Sequence, residues 1–458
     1  MTRKSLTTFS AVLLVAAIAH ADKQQPPPAA PAKPFTLPSH RDVALDNGAK
    51  ITTIAYGSIP KTIVELVIRG GNSVEGPQQV WLADLMGRSL QEGTVTRPAG
   101  QLAEAAAEMG GDLTIQAGAD ATIIQIEVLS EFAPRAIALV ADVARNPAFP
   151  AADVARVKAD LVRDLAVSRT QQQVLAGEQF ASAVFPDHPY GRQYPTEAML
   201  QSYTVDQVRA FYTAHIGAAR SHLYIAGTFD AAAVDQAARD ALSGWSRGPD
   251  LEVVPDVPAT KPAVLVIDRP GAVQSTVIVG LPGLTPKSPD YIQLLVTDAL
   301  LGGSFGSRIT TNIREQKGYT YSPFSQVTNR YHTSYWTESA DVTTKVTADS
   351  IREILFEIGR LRKEPPAPQE LKGVLNYMSG VFVLQNTSNQ GIIGQLAFVE
   401  LHGLRDDYLK TYVQKVNAVT RQDVQRITET YLNPAKMTYV VVGDKAKIEE
   451  TLKSYPPK

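Results

Sequence analysis

Cysteine is missing from the chain altogether, which excludes disulfides, thiolate metal ligands and a cysteine nucleophile. The same absence at position 22 leaves no lipid-attachment residue behind the N-terminal leader. A predominant charge is also lacking: 44 Lys and Arg stand against 46 Asp and Glu, a formal net charge of −2. No Lys/Arg run breaks that balance, which argues against a nucleic-acid partner. The apolar stretch Phe9 to Ile18 is too short to span a bilayer, and no later run is long enough, so no transmembrane segment is expected. Histidine is sparse: His20, His40, His188, His215, His222, His332 and His402 include no pair four apart, so no helix carries two imidazoles for zinc. Gly302-Gly303-Ser304-Phe305-Gly306 fits the Gly-x-Ser-x-Gly pattern, but it follows an expected helix and not a strand, so it is no nucleophile elbow and a serine peptidase is left unsupported.

What is present begins with a leader. Met1-Thr2-Arg3-Lys4 is basic, Phe9 to Ile18 is apolar and Ala19-His20-Ala21 has small residues at the cleavage positions, the plan of a secretory signal peptide over residues 1–21. Export to a bacterial periplasm is the expectation. Residues 22–38, with Pro26-Pro27-Pro28, form neither helix nor sheet interior and read as a tether. The rest of the 458 residues, in a chain 44% hydrophobic, suffices for two to four domains.

Strands are expected at 42–45 and 50–56 around the Asp46-Asn47-Gly48 turn, then at 62–68, 113–116 and 122–129. Helices are expected at 101–109, 133–145 and 152–167, and in the second half at 290–301. The chain also repeats itself. TVDQVRAFYTAHIGAARSHLYIAGTFD begins at Thr204 and TRQDVQRITETYLNPAKMTYVVVGD at Thr420; Val208 matches Val424 and Gly227 matches Gly443, each pair 216 apart. An offset that long means a duplicated domain and not a solenoid. The expected organisation is one α+β half at 39–246, a Pro-rich linker at 247–262 and a second α+β half at 263–458.

Three stretches carry the functional reading. In VWLADLMGRSLQEGT, from Val80 to Thr94, the apolar Leu82, Leu85, Met86 and Leu90 take one helical face, and Asp84, Gly87, Arg88 and Gln91 the other. Asp84 and Arg88 stand four apart and are expected to pair. In the second half, LGGSFGSR holds Gly302, Gly303 and Gly306, a helix-to-helix turn expected to need positive φ. NIREQKGYTYS then runs from Asn312 to Ser322, with Arg314 offering a fork of donors and Tyr321 a hydroxyl seven residues on. A structural reading of the last stretch is equally available: Arg314 complements a helix C-terminus, Gly318 caps it and Tyr321 begins a strand.

These motifs together resemble the pitrilysin/insulinase family, and the resemblance runs from about residue 40 onward. It implies two homologous α+β halves arranged as a clamshell. In the processing-peptidase branch of that family, His-x-x-Glu-His occupies the positions held here by Asp84 to Arg88, and a third ligand falls near Asp164. The resemblance further implies that Arg314 and Tyr321 reach substrate across the chamber, and that the glycine loop at Gly302, Gly303 and Gly306 handles extended peptide. It also places Leu113, Thr114, Ile115, Gln116 and Ala117 on a strand whose edge pairs with substrate, although an ordinary edge strand has the same pattern. Because Arg88 never loses its proton and Gly87 removes the base, these residues bind no metal. What remains implied is a chain without a cofactor of its own, partnered by a zinc-bearing homologous subunit that acts on peptides. The alternative of another class is a noncatalytic scaffold or peptide-holding protein; a lone zinc peptidase using Asp84 and Asp164 comes third.

Overall fold

The computed structural model describes residues 36–251, 254, 255, 257 and 261–455. The expected signal peptide, most of the expected tether and part of the 247–262 linker lie outside the described residues. The first half contributes β1 (His40–Ala44), β2 (Lys50–Ala55), β3 (Lys61–Arg69), α1 (Leu82–Ser89), α2 (Ala99–Glu108), β4 (Thr114–Ala117), β5 (Ala121–Leu129), α3 (Ala133–Arg145), α4 (Ala151–Ser168), α5 (Gln172–Val184), α6 (Glu197–Ser202), α7 (Val205–His215), β6 (Ser221–Gly227) and α8 (Ala231–Ser243). The second contributes β7 (Val264–Asp268), β8 (Gln274–Pro282), α9 (Tyr291–Leu301), β9 (Phe324–Arg330), β10 (Thr333–Thr343), α10 (Thr347–Lys363), α11 (Pro368–Gln385), α12 (Asn389–Leu401), α13 (Tyr408–Asn417), α14 (Arg421–Tyr431), β11 (Thr438–Gly443) and α15 (Lys445–Leu452).

The duplication read from the repeat is present in the sheets. One is ordered β1-β2-β6-β3-β5-β4 and the other β7-β11-β8-β10-β9, so removing β1 leaves two sheets of the same order. In both, the strand that closes the repeat runs parallel to its outer neighbour, β6 beside β2 and β11 beside β7. Thr204 and Thr420, 216 residues apart, each cap a helix by accepting the backbone N–H three residues on. The Asp46-Asn47-Gly48 turn joins β1 to β2 as expected, with Gly48 at φ +91°.

A single sheet face does not account for the buried strands. In β3, Val64, Leu66 and Ile68 pack against helices of their own half, while Ile63 faces the other way with Ile54 and Tyr224. That second face is covered by Ile392 and Ile393 of α12, from the other half. The exchange is reciprocal, because Ala176, Phe180 and Val184 of α5 pack on Ile278, Val440 and Val442 of the second sheet. Each half therefore lends one helix to its twin. Polar contacts cross with them: Lys50 Nζ and the Tyr224 hydroxyl donate to Glu400 at 2.7 and 2.6 Å, Gln390 to Glu65 at 2.8 Å, and Gln173 to Asp341 at 2.7 Å. The two equivalent hairpin tips also meet, where Asp120 accepts from the Tyr331 N–H at 3.2 Å and the Tyr190 hydroxyl at 2.5 Å.

Candidate functional site

Helix α1 starts abruptly, after Trp81 in the left-handed conformation at φ 66°. Its first turn is capped by Glu75, whose Oε1 accepts from the Ala83 N–H at 2.7 Å and whose Oε2 accepts from the Trp81 N–H at 3.2 Å. Burial pushes the Glu75 carboxyl up to about 8, against those backbone donors. The apolar face is as the periodicity reads: Leu82, Leu85, Met86 and Leu90 are buried. The polar face is not. Asp84 does not pair with Arg88; it turns to the preceding loop, where Asn72 Nδ2 donates to its Oδ2 at 2.7 Å, and burial raises its pKa. Arg88 instead crosses to α4 and donates from Nη1 to Asp164 Oδ2 at 2.7 Å. The i,i+4 spacing offers a contact on the helix, but α4 packs against α1 and presents the Asp164 carboxylate within reach of the long Arg88 side chain. Gly87 is buried, and a Cβ there would sit 3.5 Å from the Ala117 Cβ, so α1 lies directly against β4.

Tested as a metal site, this cluster does not fit zinc. Of the positions at issue, one is a permanent cation, one is its paired carboxylate, one is an amide-bound carboxyl and one has no side chain. Among the described residues, no group of three or more His, Asp or Glu is arranged to hold a metal. What the arrangement keeps is an adjacent strand edge. β4 ends its sheet and pairs only with β5, Thr114 and Gln116 are exposed, Ile115 and Ala117 are half-buried, and Gln91 Nε2 donates to the Leu113 carbonyl at 3.3 Å. An extended peptide has an open edge there beside α1.

The second-half motif forms its own cluster. Arg314 lies in a π-helical turn, Thr310–Gln316. Its guanidinium sits 4.5 Å over the Phe305 ring and 4.9 Å over the Tyr321 ring, with Nε 3.1 Å from Glu315. Both rings are open to solvent, Phe305 at 73% and Tyr321 at 80% exposure, so the stack presents its aromatic groups outward. Gly318 is at φ +64°, as expected of a cap, but Tyr321 does not begin a strand; β9 starts at Phe324. The glycine loop corrects another expectation. Gly302, Gly303 and Gly306 are all outside positive φ. Space is what the first two need: a Cβ on Gly302 would collide with Glu338 Oε2, and one on Gly303 would stand 2.6 Å from Asp298 Oδ2.

Sequence reasoning missed Glu75, Asn72, Phe305, Asp298 and Glu338. Phe305 was marked by being the one aromatic residue in a Gly/Ser run, and Glu338 by being a lone acid in the otherwise uncharged run from Thr333 to Ala340. His188 is buried, with Nε2 2.9 Å from the Pro255 carbonyl.

Comparison with known proteins follows the same division. Residues 52–195 match the family model described as insulinase (peptidase family M16), and residues 202–378 match the one described as peptidase M16 inactive domain. An uncharacterized zinc protease of Rickettsia bellii is 26% identical over 280 residues, covering 61% of this chain and 67% of its own length. A non-peptidase homolog of Helicobacter pylori is 21% identical over 418 residues, covering 89% and 95%. In fold, the chain superposes with a TM-score of 0.81 on a peptidase M16 inactive domain from Pseudomonas fluorescens, at 23% identity over 88% of this chain and 98% of that one. A protease from Helicobacter pylori gives 0.82, at 17% identity over 89% and 100%. The chain belongs to peptidase family M16, the insulinase family.

Proposed function

We propose that this chain is a metal-free subunit of a heteromeric M16 peptidase, exported to the periplasm, which holds peptide and completes the chamber of a zinc-bearing homologue. The observation that carries the reading is the combination of two clusters. Arg88 and Asp164 join across the positions where a metal would be ligated, while the Arg314 stack with Phe305 and Tyr321 stays exposed. In this reading zinc, water and general base belong to the partner. Arg314 donates to a peptide carbonyl once it exchanges its ring contacts for substrate, Tyr321 steadies a developing oxyanion, and the edge formed by β4, with Leu113 just before it, pairs with extended backbone. Gly302 and Gly303 keep the loop that bears Phe305 close to the core, and Gly306 lies beyond it on the same loop. Export rests on the leader over residues 1–21.

The second reading, a scaffold or peptide-holding protein without a part in cleavage, is favoured by the names of its relatives, an inactive domain and a non-peptidase homolog. Hydrolysis of a fluorogenic peptide library by this chain, by the zinc-bearing M16 homologue of the same cell, and by the two mixed separates them. The subunit reading expects turnover in the mixture alone, with a loss of at least about a hundredfold in Arg314→Ala and a smaller loss in Tyr321→Phe while the complex persists. Turnover indifferent to both substitutions favours the scaffold.

A further inference from the structure

The two halves hold equivalent clefts that differ in one respect. Asp298 stands five residues before Gly303 as Arg88 stands five before Gly93, and Val381 is the fourteenth residue of α11 as Asp164 is of α4. In the first half the acid of that cleft has a cation. In the second half, Asp298 and Val381 line a cavity of about 420 Å3 between α9, α11, α12 and α13. Its walls are rings: Tyr291, Tyr377, Phe398, Tyr408 and Tyr412, with Tyr377 half exposed at the rim.

At the floor, Asp298 Oδ1 accepts from Ser325 Oγ at 2.6 Å and from Trp336 Nε1 at 2.7 Å, while Oδ2 takes no hydrogen bond among the described residues. Glu338 lies behind it, fully buried beneath Gly302, and neither of its oxygens makes a hydrogen bond of ordinary geometry, although the Phe324 backbone N–H partly offsets its burial. No Lys, Arg or His among the described residues pairs with either acid. Burial pushes Asp298 up to about 6 and Glu338 well above its ordinary value, with the Asp298 charge adding to the second shift. Aromatic faces carry negative potential and attract cations, the more strongly where water is excluded. A ringed cavity over an acid with one unbonded oxygen and no counter-ion is therefore complementary to an alkyl chain ending in a positive charge.

We propose that this cavity binds an alkylguanidinium or alkylammonium group, supplied by an Arg or Lys side chain of a peptide held by the chain. The source of the group rests on the peptide-holding reading above; the site itself does not. The small probe is n-butylguanidinium, with n-butylurea as its neutral isostere, titrated into the full chain by calorimetry. A fluorescein-labelled octapeptide with one central Arg is compared with its citrulline counterpart by anisotropy. The expected result is butylguanidinium binding at least about tenfold tighter than butylurea, with that preference lost in Asp298→Asn and reduced in the rim variant Tyr377→Ala, and the same order for Arg over citrulline. Equal binding of butylguanidinium and butylurea, or a preference unchanged in both variants, overturns the site. Butylguanidinium selectivity with no peptide bound supports the site and overturns the peptide as its source. Peptide bound without regard to Arg, and no butylguanidinium binding, overturns the site and leaves the peptide-holding reading standing.

Discussion

At the scale of single residues, the arginine at position 88 decides the chemistry of the first half. Arg88 and Asp164 are 46% and 51% exposed, so their ion pair is screened by water and contributes little to folding. Arg88→Ala and Asp164→Ala are each expected to lower stability by less than about 1 kcal/mol in denaturant titrations. A larger loss in either would make the pair structural. Glu338 is the opposite case, a buried acid with no cationic partner among the described residues. Both Glu338 and Asp298 have folded pKa values raised above their ordinary ones, Asp298 to about 6 and Glu338 well above its usual range, so above the ordinary carboxylate range the folded chain holds more protons than the unfolded chain. Stability contributed by these groups is complete below the ordinary range and is lost as pH rises through each folded value. Glu338→Met is therefore expected to raise stability at pH 8 by about 1–3 kcal/mol and by less at pH 5; melting curves at the two pH values check the sign. The failed Asp84–Arg88 pairing is instructive here. Spacing along a helix identifies which residues share a face, and Asn72 and Asp164, 12 and 76 residues away from their partners, are visible only once the chain is folded.

Among the elements, the strands around Asp46-Asn47-Gly48 were legible from the turn itself, and the helices α1, α3 and α4 because each buries one face against its own half; α9, buried nearly all round, was legible as the counterpart of α1. α12 was not. Its sequence NQGIIGQLAFVEL spreads apolar residues around the helix, so no periodicity marks the face that Ile392 and Ile393 turn to the other half. What seats it is a polar cluster at its C-terminal end. Burial pushes Glu400 up, but hydrogen bonds with His222, Lys50 and Tyr224 outweigh that and hold its carboxyl below the ordinary range. A depressed carboxylate stabilises the fold above its unfolded value near 4.5, and that contribution is lost as pH falls. Glu400→Gln should then cost about 1–3 kcal/mol at pH 7 and less at pH 4. A difference that grew on acidification would contradict the assignment.

For the whole molecule, the duplication was readable from a constant 216-residue offset, and the matching strand orders bear it out. The reciprocal loan of α5 and α12 was not readable, since nothing local distinguishes a helix that packs at home from one that packs on its twin. The candidate site divides along the same line. Arg314 and Tyr321 were found by motif, and Phe305 completes their stack, whereas the open, acidic cleft of the second half emerges only when the two halves are compared. The most direct measurement is metal content: the purified chain is equilibrated with excess zinc, freed of unbound metal and assayed by mass spectrometry. A chain whose metal positions are taken by Arg88 paired to Asp164 retains well under one zinc per molecule. Near-stoichiometric zinc that survives removal of the free ion would contradict the account.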